Sequence, residues 1–141
     1  MEIEVGQVLW LCVKYQIDKI SDVPHPMLVY KINKDNIEVI AMDKTKGKMH
    51  ALYSEYNIYI NCCEPKEQVI YEDSYAQLNT ILTIELFPEL KKSRKTIGKL
   101  SSKKFNDIAI NYENWQKHNI VPEQRIVYMT KEDILSMNAN L

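Results

Sequence analysis

The chain lacks the features that would place it in several large classes of protein. None of its apolar runs approaches the roughly 20 residues that a helix needs to cross a bilayer, so no membrane partner is expected. Its opening, MEIEVGQVLW, carries acids where a secretory leader carries bases. No signal peptide is therefore read, and the cytoplasm is the expected location. Cysteine is scarce. Cys12, Cys62 and Cys63 form an odd set with two adjacent members, which excludes the disulfide framework of a small secreted domain. The set also lacks the C-x-x-C spacing of a zinc knuckle, so the three read as free thiols behaving as small hydrophobes. No metal and no other cofactor are expected. Nor is there an excess of one charge. The net charge of -1 argues against a protein that coats nucleic acid through bulk positive charge. Repeats and low-complexity segments are missing as well.

What remains is an ordinary folded domain. At 141 residues, 45% apolar and 26% charged, the chain is long enough for one genuine core. Charge is nevertheless local. Lys91, Lys92, Arg94, Lys95, Lys99, Lys103 and Lys104 follow one another without an intervening acid. The plain reading is a solvated loop and helix start; the functional one is a phosphate-binding edge.

The stretch from Asp73 to Leu86 organises the rest. Ala76, Leu78, Thr80, Leu82, Ile84 and Leu86 alternate with Tyr75, Gln77, Asn79, Ile81, Thr83 and Glu85. That period of two predicts one long strand with a core face and a wet face, stopped by Pro88. Before it come an apolar strand within Val5 to Tyr15, a loop through QIDKISDVPHP, and strands at Met27 to Ile32 and Ile37 to Met42 joined by NKDN. A basic loop, Asp43 to Lys48, follows, then shorter strands at Met49 to Tyr53 and Ile58 to Asn61, a turn at Glu64 to Glu67, and Gln68 to Tyr71 leading into the long strand. After Pro88, which opens a helical turn, Ser101 or Ser102 caps a helix. Its stripe is Phe105, Ile108, Ala109, Tyr112 and Trp115. A strand at Arg125 to Met129 and a last short helix capped by Thr130 with Asp133 complete the chain. The expected fold is mainly β, a small antiparallel barrel with packed helices.

Several of these pieces, in their order, resemble the MazF/PemK (Kid) family of bacterial toxins. EVGQVLWL resembles that family's Gly-Asp-Val-Tyr start. Pro24-His25-Pro26-Met27-Leu28-Val29 resembles its Arg-Pro-Val-Ile-Val segment. Asn36 to Asp43 resembles the strand that ends in its catalytic Thr or Ser, and Asp73-Ser74 with the strand to Thr83 resembles its Asp-Ser…Arg-Thr segment. Ile97-Gly98-Lys99-Leu100-Ser101 resembles the start of its helix. The resemblance implies an SH3-like barrel over residues 1-112, with 113-141 as an extension packed on it. It further implies a homodimer that cleaves single-stranded RNA without a metal and is held in check by a cognate antitoxin protein. His25 stands where the family has an arginine, Thr80-Ile81-Leu82 stands where it has Gln-x-Arg, and the catalytic hydroxyl position falls near Asp43 or Thr45.

Metal-free RNA cleavage needs a base for the 2′-hydroxyl, an acid for the 5′-oxygen and donors facing the phosphorane. His25, held between prolines, is the candidate acid or base, because an ordinary imidazole titrates near pH 6.5. Asp43 and Thr45 are the further catalytic candidates. Lys44, Lys46, Lys48 and His50 would contact phosphates, or simply belong to a solvated hairpin loop. Tyr75, Gln77 and Asn79 on the wet face would stack on or read a base, or face solvent or a second copy. Trp10, Tyr112 and Trp115 read as core. The rival reading is a barrel that binds RNA or a protein without cutting.

Overall fold

The structure, a computed structural model, describes residues 2–141. Its centre is β5 (Asn36–Lys44), whose apolar residues alternate between two buried faces. One edge of β5 pairs antiparallel with β4 (His25–Ile32), and β4 pairs in turn with β1 (Val8–Leu11). The other edge is shared. Asn36 to Val39 pair with β8 (Ile81–Glu85), while Met42 to Lys44 pair with β7 (Ser74–Gln77). β6 (Asn57–Ile60) lies outside β7, and β9 (Ile126–Met129) lies outside β8. The β8–β9 pairing is parallel, so the sheet is mixed. A small hairpin, β2 (Lys14–Gln16) and β3 (Lys19–Ile20), stands beside it.

The expected single strand over 73–86 is two strands with a corner at Leu78 to Thr80. Ala76 and Leu78 pack in one core and Leu82 and Ile84 in another, so the buried face changes at the corner although the apolar parity of the sequence does not. Tyr75 and Asn79 of the expected wet face are buried as well. At the corner the Leu78 amide leaves the ladder and donates to the Tyr56 carbonyl (2.7 Å). The antiparallel barrel is likewise corrected to an open mixed sheet. Among the described residues no ladder joins the β1 edge to β6 or β9. Met49–Tyr53 is a 3₁₀ turn rather than a strand, and Asp43 and Lys44 end β5 rather than starting a loop. The segment QIDKISDVPHP contains β3 and the start of β4.

Two cores flank the sheet. Leu9, Met27, Val29, Val39, Leu82 and Ile84 face Phe87, Leu90, Val127, Met129 and Ile134. On the opposite parity Val8, Leu28, Ile40, Met42 and Ala76 face Ile108 and Tyr112 of α1 (Ser102–His118). Ser101 is the residue that caps α1, accepting from the Lys104 amide. Thr130 and Asp133 form a reciprocal cap on α2 (Lys131–Met137). α1 runs through position 112, and β9 and α2 beyond it contribute Val127, Met129 and Ile134 to the first core.

The β4–β5 register contains a bulge between Val29 and Lys31. It lets Tyr30 turn toward α1, where its hydroxyl donates to Glu113 (2.5 Å) and its ring meets Tyr112 edge-on. The bulge also resets the pairing of everything N-terminal to it on β4.

Candidate functional site

Below the bulge the register pairs Leu28 with Ile40 and Met27 with Ala41. Continued by two residues, it sets His25 against Asp43 at the end of the sheet. The His25 Nδ1 lies 3.5 Å from Asp43 Oδ1. The chain then turns back through Gly47, whose φ of +76° is a left-handed geometry that glycine adopts without strain. The Lys48 amide bonds the Thr45 carbonyl (2.8 Å), and the Lys48 ammonium is delivered onto Asp43 Oδ2. The Lys44 amide adds a bond to Oδ1 (2.8 Å).

Burial acts to raise the Asp43 pKa, but His25, Lys48 and the Lys44 amide together outweigh it and hold it down at about 2. Lys48 is raised by its bond to Asp43, against the opposing effect of burial. The carboxylate is therefore ionised across the physiological range and flanked by a cation and an imidazole. Such a carboxylate fixes the ring orientation and leaves Nε2 as the nitrogen for a ligand.

His25, Asp43 and Lys48 sit where two clefts meet. One, of about 330 Å³, is also lined by Trp10, Tyr71 and Lys95. The other, of about 390 Å³, has Tyr15, Ser21 and Gln77 on its wall. The other sequence candidates divide. Tyr75 pairs with Asp43 across β5–β7 but is almost wholly buried, and that burial raises its phenol. Gln77 bonds Tyr75 and lines the second cleft. Thr45 is buried, and its hydroxyl donates to the Asp73 carbonyl (3.3 Å). Asn79 is buried in a network in which Arg125 donates to its carbonyl, its amide oxygen and the Thr80 hydroxyl. Lys44 lines the first cleft, while Lys46 and His50 are exposed and line neither.

Three cleft residues escaped the sequence reading. Trp10, expected in the core, is only half-buried and stacks on Tyr71, the ring centroids 6.3 Å apart and the planes 14° from parallel. The Lys95 ammonium stands 3.7 Å from the Trp10 centroid. β1 is apolar on both parities, so nothing in the sequence distinguished Trp10 from Leu9 and Leu11. The basic segment was visible, but not the ring pair it reaches.

Among the described residues no group of three or more His, Cys, Asp or Glu is placed to hold a metal ion. Cys62 and Cys63 bring their sulfurs within 3.3 Å, and the Cys63 thiol, helped by burial, pushes Cys62 up to about 11. No helix among the described residues is long and apolar enough to cross a membrane. No protein-family model matches the chain, and no curated protein matches it. The functional reading therefore rests on the motifs quoted above and on this geometry.

Proposed function

We propose that this protein is a MazF/PemK-type toxin: a metal-independent endoribonuclease of single-stranded RNA, cytoplasmic and neutralised by a cognate antitoxin. In this reading the open mixed sheet is an SH3-like fold whose barrel is left unclosed, and the protein acts as a homodimer. The observation that carries the proposal is the His25–Asp43–Lys48 cluster at the junction of two clefts. His25 removes the 2′-hydroxyl proton, and the 2′-oxygen attacks the adjacent phosphorus. The P–O5′ bond breaks as the leaving 5′-oxygen takes a proton from solvent, giving a 2′,3′-cyclic phosphate and a 5′-hydroxyl. Asp43 holds the ring that moves the proton. Lys48 turns from Asp43 to the phosphorane and offsets its added charge.

The test is incubation of the protein with a long single-stranded RNA in the presence of EDTA, with the fragment ends mapped. Discrete cuts ending in 2′,3′-cyclic phosphate, lost in His25→Ala, support the proposal. RNA left intact by the wild type overturns the nuclease. Binding without cleavage is then the reading that remains. It is favoured by Thr45, whose buried hydroxyl is engaged by Asp73 and offers the phosphate nothing.

A further inference from the structure

The first cleft carries a feature that the acid–base chemistry does not use. Trp10 and Tyr71 present two nearly parallel rings in the cleft that His25 and Lys48 also line, and Tyr71 is 60% exposed. The Lys95 ammonium lies over the pair, 3.7 Å from the Trp10 centroid and 5.6 Å from that of Tyr71. Lys95 is itself exposed and reaches in from the basic segment that follows Pro88–Ser93.

We infer that the Trp10–Tyr71 pair is a subsite for one unpaired nucleobase of an RNA strand, next to the phosphate handled at His25 and Lys48. The inference rests on the proposed function and names what that site grips. The chemistry is specific in three respects. A stacked aromatic surface takes the flat face of a base, and in a duplex those faces are already covered by neighbouring pairs. A base stacked on aromatic rings outweighs a lysine lying over an exposed one, so the base displaces Lys95. Once displaced, Lys95 has a phosphate within its reach, because each stacked nucleotide carries one on either side. The cleft's charge agrees. With Asp43 compensated by Lys48, Lys44 and Lys95 face only Glu72. Trp10 and Tyr71 offer the base a flat surface, and stacking of that kind favours ring area, purine over pyrimidine.

The experiment is a fluorescence titration with short single-stranded RNAs carrying 2′-O-methyl groups, which block cleavage, in parallel with the EDTA cleavage assay on unmodified RNA. The expected result is quenching of tryptophan emission that disappears in Trp10→Phe. A single abasic position beside the cut site should weaken binding about tenfold, with other positions changing it little. Tyr71→Ala, at an exposed position where folding is not at risk, should weaken binding similarly and remove the purine preference. Cutting without quenching, and with equal response to every abasic position, overturns the subsite and leaves the nuclease standing. Quenching with one abasic-sensitive position but no cutting overturns the nuclease and leaves the subsite. RNA that neither binds nor is cut overturns both.

Discussion

Asp43 and Asp73 sit on neighbouring parts of the same sheet, and both are held below the ordinary carboxylate range, yet for different reasons. Asp73 accepts from the Cys62 amide (3.0 Å) and the Tyr59 hydroxyl (2.8 Å), both neutral donors. Those two bonds, the amide first, lower its pKa. Asp43 overcomes its own burial mainly through His25 and Lys48. A backbone amide has nowhere else to go when an anion arrives, so Asp73 is a tie between β6 and the segment entering β7. A lysine and an imidazole can turn to a phosphate, so the partners of Asp43 are exchangeable. The same residue type is a fastener in one place and a counter-ion in the other, and the partners decide which.

The comparison breaks most severely at His25. His25→Ala should lower RNA cleavage by about 10²-fold or more with only a modest loss of Tm, because the ring is in neither core and Asp43 keeps Lys48 and the Lys44 amide. Asp73→Ala should do the reverse, lowering Tm with cleavage per folded molecule retained. A pair of variants that behaved alike would remove the distinction between the two aspartates.

Asp43→Asn sharpens it. The amide keeps the shape and removes the charge, so Lys48 is left for the RNA and His25 loses its counter-ion. Binding at low salt should tighten roughly three- to tenfold while the cleavage rate falls by about tenfold or more. Parallel measurement of Kd and single-turnover rate separates the two effects.

Acid should act through Asp43 in a defined window. Its folded pKa, about 2, lies below the unfolded value of 3.8, so the stability it confers is fully present above about pH 4. That contribution, on the order of 2 kcal/mol before solvent screening is discounted, is lost as pH falls through 2. Urea unfolding of the wild type between pH 5 and 2 should show a steeper decline than that of Asp43→Asn.

The smallest effect belongs to the loop lysine outside the clefts. Lys46→Ala should weaken RNA binding only slightly and reduce the salt slope by at most about one, whereas Lys48→Ala should change both slope and rate. Filter binding across a salt series measures the difference.

Local chemistry was legible in the sequence and long-range register was not. The Thr130–Asp133 cap, the α1 stripe and the parity of the strands all follow from residues within one turn or one strand of each other. The corner at Leu78 to Thr80 was invisible because alternation continues through it. The meeting of His25 with Asp43 was invisible for a sharper reason. Ile32 pairs with Ile37 and Lys31 with Glu38, a register that, carried straight on, would set His25 against Lys44. The single bulge at Tyr30 shifts the pairing by one and substitutes an acid for a base as the histidine's neighbour. No pattern in the strand announces that shift, which answers to Tyr30 meeting Glu113 and Tyr112 from α1.

The parallel pairing of β8 with β9 sets an order of events during synthesis. Ile81 and Leu82 wait for Ile126 and Val127, which the ribosome adds some forty-five residues later. Until then Leu82 and Ile84 lack the cover that Val127, Met129 and Ile134 provide. A nascent chain thus carries His25, Asp43 and Lys48 long before the sheet bearing them is complete. Products that stop before Ile126 should be poorly folded and inert, so the cluster is expected to acquire its geometry only once β9 has been added.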